Sequence, residues 1–181
     1  MLCGIDEAGR GPIAGDLVMA GCILHAKIAG LNDSKKLTAK KRESLFDEII
    51  KNSSCHIVKF SPKQIDEDGI SICLASGLRE ITQKLQADSY LFDGNTTFGV
   101  KGLETMIKAD GKVVEVSAAS ILAKVTHDRD IIKEAKKYPQ YEFEKHKGYG
   151  TARHVELIKK YGYCNIHRKS YKLKALQPTL F

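Results

Sequence analysis

Asp6 and Glu7 stand side by side at the end of a short apolar run, and a glycine-flanked arginine, Gly9-Arg10-Gly11, follows within two residues. Adjacent carboxylates at the end of a buried strand repel each other unless a cation offsets them. Two more acids occupy similar places: Asp93 closes Tyr90-Leu91-Phe92 ahead of Gly94, and Asp110 stands in Lys108-Ala109-Asp110-Gly111. Hard divalent cations need oxygen ligands converging from several elements, and many enzymes that cut phosphodiesters hold two such ions about 4 Å apart. Asp6, Glu7, Asp93 and Asp110 could form a four-carboxylate cup of this kind. Taken singly, Asp93 and Asp110 read more simply as turn formers, because Asp-Gly is ordinary turn chemistry. The glycines around Arg10 also raise a phosphate-loop reading. There is no G-x-x-x-x-G-K-[ST], and counting from Gly9 the sixth position of G-x-G-x-x-G is Ala14, so that reading is weak.

The acids need elements to carry them. Apolar runs and alternation predict strands over residues 2–6, 17–24, 55–60 and 90–93, with a further strand over 113–116. Thr38 caps a predicted helix over 39–51, and Ser61-Pro62 starts a short one. Leu74, Leu78, Ile81 and Leu85 share one face of a helix over 70–85. A long helix is expected over 117–137, ended by Pro139, and a last one over 151–161, stopped by Gly162. In the long helix Ser117, Ser120 and Lys124 share a face, which suits either a site or close packing. Strands mixed with helices predict an α/β or α+β domain.

The chain has 181 residues and a net charge of +7, enough for one domain with a sizeable core. Residues 133–174 hold 12 Lys and Arg against 4 Glu, and six of the seven tyrosines, while the rest of the chain nets −1. Clustered positive charge points to an anionic partner, nucleic acid above all, with a solvated basic face as the plain alternative. The five cysteines are scattered without a C-x-x-C pair, which predicts reduced thiols and a cytoplasmic protein without a zinc site. No leader is expected, because Asp6, Glu7 and Arg10 interrupt the N-terminus, and the longest apolar stretch is too short to span a bilayer. His146, His154 and His167 lack metal-ligand spacing and are expected to contact phosphate or pack. No feature demands more than a monomer.

Six blocks in register, GIDEAGRGPIAG, NDSKKLT, FDGN, KADG with SAASILAKVTHD, HKGYGTARH and IHRKSY, cover the chain from Gly4 to Tyr171. In order and spacing they resemble the ribonuclease HII family. The resemblance implies a ribonuclease H-like α/β fold, a central mixed sheet flanked by helices with a small helical C-terminal part. It implies a catalytic core over 1–137, a basic substrate-binding part of the same domain over 138–173, and a tail over 174–181. It implies that Asp6, Glu7, Asp93 and Asp110 are catalytic and bind two Mg²⁺ or Mn²⁺ ions that activate a water and stabilise the leaving 3′ oxygen. Substrates would be RNA in RNA–DNA hybrids and single ribonucleotides in duplex DNA, cut on the 5′ side to leave 5′-phosphate and 3′-hydroxyl. Gly9, Arg10 and Gly11 match the motif at the RNA–DNA junction, where a backbone free of side chains can approach a 2′-hydroxyl. Tyr149 matches the tyrosine that stacks on the next deoxyribose, and Ser34, Lys35 and Lys36 match a block expected along the substrate backbone.

The chain departs from the family at two places. Asp16 stands where proline is usual, which adds a fifth acid near the loop. His127 stands where arginine is common, so any substrate-backbone contact there would titrate. The ending Gln177-Pro178-Thr179-Leu180-Phe181 resembles a short sliding-clamp-binding peptide, with Leu180 and Phe181 filling an apolar pocket and Gln177 bonding at its rim. Two competing functions are a catalytically silent binder of RNA–DNA hybrids, disfavoured by the presence of all four acids, and a related DNA nuclease or resolvase, disfavoured by Arg10 and Tyr149.

Overall fold

Strands β1 (Leu2–Ala8), β2 (Leu17–Leu24) and β3 (Ser53–Phe60) run antiparallel, and β4 (Ser89–Asp93) and β5 (Leu103–Met106) add to the other side of β1 in parallel. The order across this mixed sheet is β3-β2-β1-β4-β5. The computed structural model describes residues 1–31 and 37–172. Alternation along β2 divides the core between two faces. Leu17 and Met19 pack with Leu74, Leu78 and Ile81 of α3 (Ile70–Lys84) and Ile65 of α2 (Pro62–Asp68). Val18, Ala20 and Cys22 pack with Leu45 and Ile49 of α1 (Ala39–Lys51) and the apolar stripe of α4 (Val114–Ala135). The result is a sheet between two helical layers, the α/β architecture expected.

Helix ends follow their capping residues. Thr38 accepts from the Lys41 N–H at 3.2 Å, and Ser61 and Gln64 form a reciprocal capping box with Pro62 at the first helical position. Thr151 caps α6 (Ala152–Tyr161) by accepting from the His154 N–H at 3.2 Å. Short α5 (Phe143–His146) and α6 pack beyond the far end of α4 in a third cluster, which joins Tyr141, Phe143 and Leu157 to Ile131 and Ala135 of α4 and to Ile13 and Ala14.

Two expectations need correction. Residues 113–116 are not a strand: Val113 is extended, but Val114 begins α4, and Val116 is buried on the face that α4 turns to the sheet. A β-branched run is a weak prior that packing overrides here. The fifth strand is instead β5, Leu-Glu-Thr-Met, whose mixed composition carries no alternation to announce it. The first strand also runs two residues past Asp6, so Glu7 and Ala8 belong to it.

The placement of α4 depends on Gly4. A Cβ at Gly4 would lie 2.3 Å from the backbone C of Glu115 and the backbone N of Val116, so β1 and the first turn of α4 touch backbone to backbone. No side-chain adjustment can relieve such a clash. Gly4→Ala is expected to destabilise the protein by about 3 kcal/mol or more, measured as a drop in the urea midpoint; a change within about 0.5 kcal/mol would show that this contact does not hold α4 in place.

Candidate active site

Parallel strands β1 and β4 bring the first two acids together. Their ladder pairs Ile5 with Phe92, so the next residues, Asp6 on β1 and Asp93 at the end of β4, stand side by side just past that pair, where β1 continues against β2 alone. A turn of 3₁₀ helix, Ala109–Gly111, brings Asp110 to the same point, and the Ala109 N–H donates to Asp93 Oδ1 at 3.3 Å. Asp6, Asp93 and Asp110 each place a carboxylate oxygen within 4.8 Å of the others. Asp6 and Asp110 are buried and Asp93 is half-buried.

The grouping is electrostatically costly. Burial raises the Asp6 carboxyl well above its usual range, and the charges of Glu7 and Asp93 raise it further; the Ser120 hydroxyl, reaching across from α4, offsets part of this. Burial also raises Asp93, and the charge of Asp110 adds to it. Three oxygen donors in so small a volume are what a hard divalent cation requires and what is unstable without one. The donor set therefore fits a Mg²⁺-class metal and lacks the nitrogen or sulfur ligands that softer ions favour.

Glu7 is placed differently. Alternation along β1 puts it on the opposite face from Asp6, in register with Met19, and it is not among the three converging carboxylates. It still lines the same cleft, about 390 Å³ in volume, and lies 3.7 Å from the Arg10 guanidinium.

The rim of the cleft carries the remaining sequence-derived candidates. Gly9, Arg10, Gly11 and Tyr149 all line it, together with Ser120 and Lys124 of α4 and Arg42 of α1. A Cβ at Gly11 would lie 3.6 Å from Tyr149 Cε1, so the ring stands against the glycine turn, and 45% of Tyr149 is exposed. Gly9 has φ +88, and a Cβ there would meet the Asp16 carbonyl oxygen at 2.4 Å and the His127 ring at 2.7 Å; no other residue fits. Ser34 and Lys35, with Lys36, lie outside the described residues, as does the tail from Gln177 to Phe181.

Several site residues were not legible as such. Arg168 is 1% exposed and donates through Nε and Nη2 to the Gly15 carbonyl at 2.9 and 2.7 Å. The Tyr171 hydroxyl donates to the Arg10 carbonyl at 2.9 Å. The glycine turn is thus gripped from below through its backbone, while the Arg10 side chain stays half-exposed on the cleft. An arginine in a basic stretch reads as surface, so only the IHRKSY block flagged it. His127 also differs from expectation. Its side chain is 1% exposed and pairs with Asp128 at 3.1 Å, so it packs under Gly9 and does not face a substrate backbone. His146, His154 and His167 are likewise buried, which leaves packing and excludes direct phosphate contact. Asp16 is half-buried; burial raises its carboxyl, and the charge of Asp130 adds to that.

A mixed sheet of this order between two helical layers defines an α/β fold of the ribonuclease H-like class, and its three converging acids fit a divalent-metal site. A sequence model of ribonuclease HII matches residues 3–174. The chain is 61% identical to the ribonuclease HII of Sulfurovum sp. (strain NBC37-1), over 99% of this chain and 96% of that one. It is 58% identical to the ribonuclease HII of Aliarcobacter butzleri (strain RM4018), over 97% and 92%. Among solved structures, the ribonuclease HII of Archaeoglobus fulgidus, determined in complex with PCNA, superposes with a TM-score of 0.85 at 30% identity, covering 99% of this chain and 98% of that one. The chain belongs to the ribonuclease HII family, metal-dependent endonucleases that act on the RNA of RNA–DNA hybrids.

The raised carboxyls set a sign. A carboxyl whose folded pKa exceeds its unfolded value favours the native state only once protonated, so at neutral pH its charge destabilises the metal-free fold, and lowering the pH relieves this. Asp6→Asn is therefore expected to raise the thermal midpoint of the metal-free protein at pH 7 by a few degrees, roughly 2–5 °C. Added Mn²⁺ should stabilise the wild type by mass action and the variant far less. A lower midpoint for metal-free Asp6→Asn would mean that repulsion does not govern the site.

Proposed function

We propose that the protein incises the strand on the 5′ side of a ribonucleotide, both in RNA–DNA hybrids and at single ribonucleotides embedded in duplex DNA, leaving 5′-phosphate and 3′-hydroxyl ends. The observation that carries this reading is the convergence of Asp6, Asp93 and Asp110 within 4.8 Å of one another, beside a cleft lined by Gly9, Gly11 and Tyr149. Asp6, Asp93 and Asp110, with Glu7 at the edge, would hold two Mg²⁺ or Mn²⁺ ions. Bound there, such ions supply an activated water and stabilise charge on the leaving oxygen.

The protein's own groups do the recognition. The turn from Gly9 to Gly11 offers backbone to the 2′-hydroxyl, the group that distinguishes RNA from DNA. Its glycines leave that approach open, and Arg168 and Tyr171 hold the turn by its carbonyls. The Tyr149 ring, next to Gly11, stacks on the following sugar and disfavours a 2′-hydroxyl there. Arg42 and Lys124 bring positive charge to the cleft, and the family resemblance assigns Ser34 and Lys35 to contacts with the substrate backbone. The acids separate this reading from a silent hybrid binder, and the sugar-reading turn separates it from a DNA nuclease. Nucleic-acid substrates and reduced thiols both belong to the cytoplasm, where we place the enzyme.

A DNA duplex with one ribonucleotide should be cut in Mn²⁺ or Mg²⁺, with an all-DNA duplex left intact. Cutting should vanish with EDTA and fall at least about 10³-fold in Asp93→Asn. Cleavage of both duplexes, or of neither, would sink the assignment.

We further propose that the segment from Gln177 to Phe181 docks on a sliding clamp. The Archaeoglobus fulgidus relative was solved with PCNA, and a Gln-x-x-Leu-Phe ending supports the same mode here. Removing residues 177–181 should abolish co-elution with the clamp and leave cleavage of short duplexes unchanged; persistent co-elution would rule out the tail as the docking element.

A further inference from the structure

Beneath Tyr149 lies a pair of imidazoles with no part in the carboxylate chemistry. His154 and His167 are 0% and 2% exposed, and their Nε2 atoms face each other at 3.0 Å. Two like nitrogens share a hydrogen bond only if one carries a proton and the other a lone pair. The surroundings decide which. The backbone N–H of Cys164 donates to His167 Nδ1 at 2.9 Å, and the Cys164 thiol faces the same atom at 3.1 Å. His167 therefore keeps its proton on Nε2 and donates to His154 Nε2. That leaves the His154 proton on Nδ1, which lies 2.9 Å from the carbonyl oxygen of Tyr149. Cys164 thus donates to His167, His167 to His154, and His154 to Tyr149. Burial pushes both imidazoles down to about 4, so at neutral pH both are uncharged, as this series of bonds requires.

The start of the series is firmly held. Gly15 N–H donates to the Ile166 carbonyl at 2.8 Å, Arg168 N–H to the Ile13 carbonyl at 2.8 Å, and Ile13 N–H to the Gly148 carbonyl at 2.9 Å. The short segment around His167 and Arg168 therefore grips the glycine turn directly and reaches the Tyr149 carbonyl through the two imidazoles, beside the direct Ile13–Gly148 bond and the Thr151 N–H, which donates to the same carbonyl at 2.9 Å.

We propose that His154 and His167 are positioning residues. They fix the Tyr149 carbonyl, and with it the ring, at a set distance from the Gly9–Gly11 turn. In doing so they set how strictly the enzyme requires a deoxyribose after the ribonucleotide. The specificity consequence rests on the sugar-stacking role given to Tyr149 above; the positioning itself does not.

Two substitutions at one site test this in the full-length protein. His154→Asn keeps an amide N–H where Nδ1 stood and can still donate to Tyr149. His154→Gln puts its amide where Nε2 stood, so His167 keeps its acceptor and the Tyr149 carbonyl keeps only the Thr151 N–H, at 2.9 Å. His154→Leu, with no donor at all, is the second variant lacking that bond. Hydrogen exchange of residues 146–151 should be about tenfold faster in the Gln and Leu variants and within about twofold of wild type in the Asn variant. Each is then assayed on two duplexes, one with a ribonucleotide followed by a deoxyribonucleotide and one with two consecutive ribonucleotides. The ratio of kcat/KM between them should fall about tenfold in Tyr149→Ala and in His154→Gln and be retained in His154→Asn. Unchanged exchange in the Gln and Leu variants, or equal acceleration in the Asn variant, overturns the positioning role. A ratio that falls in Tyr149→Ala and not in His154→Gln overturns the link to specificity. A ratio unchanged in Tyr149→Ala itself overturns the sugar-stacking role and the specificity consequence together, and the exchange rates then decide positioning alone.

Discussion

Mutual repulsion among Asp6, Asp93 and Asp110 is the condition that the surrounding structure has to meet. Left to themselves, three carboxylates with oxygens within 4.8 Å of one another would move apart or take up protons. Backbone geometry prevents the first. Asp6 and Asp93 follow directly on the last paired positions of two adjacent parallel strands, and a tight turn returns Asp110 beside them. Burial and neighbouring charge raise two of the carboxyls, so the stability lost here is the counterpart of an affinity for cations. Helix α4 lies against β1 with backbone touching backbone at Gly4, and this closeness lets Ser120 reach Asp6.

A second layer of organisation holds the glycine turn and Tyr149 to the acids. The glycine turn follows β1 directly, so its position relative to Asp6 is set within a few residues of chain. Tyr149 comes from a distant part of the sequence and needs another means of registration. The Ile13 N–H bond to the Gly148 carbonyl supplies part of it, and the segment around His167 and Arg168 supplies the rest. Arg168 is a buried cation whose hydrogen-bond partners are the backbone carbonyls of Gly15 and Arg10 and the Tyr171 hydroxyl. A guanidinium suits this task because its fork offers several donors in fixed directions.

Positive charge is less free than a count indicates. Glu142 accepts from Arg153 at 2.6 Å and Lys145 at 2.9 Å, and these bonds hold its carboxyl down at about 2. Lys137 pairs with Glu134 at 2.7 Å. Part of the basic C-terminal charge thus organises its own surface, and the cations beside the carboxylates come from elsewhere: Arg10 from the glycine turn, Arg42 from α1, and Lys124 from α4, itself paired with Asp128 at 2.8 Å.

Local signals carried much of the architecture. Capping at Thr38 and Ser61 and the apolar face of α3 were readable because each depends on residues within one or two turns. The start of α4 and strand β5 were not, because Val113–Val116 and Leu103–Met106 take their states from what they pack against. The place of His127 was hidden for the same reason: neighbouring sequence shows a titratable group, while its burial under Gly9 depends on β1 and α4 meeting.

The sequence by itself determined the chemistry on offer: four acids at strand ends and turns, a glycine-flanked arginine, and a tyrosine in a basic segment, in blocks specific to one family. Only the tertiary structure decided their relations. It joined Asp6, Asp93 and Asp110, turned Glu7 to the other face of β1, set Tyr149 against Gly11, and buried Arg168 and the two imidazoles beneath the glycine turn. The physical reason is range. Residue type and capping act over a few positions, whereas strand pairing, burial and hydrogen bonds such as that from Arg168 to Gly15 join residues far apart in the chain.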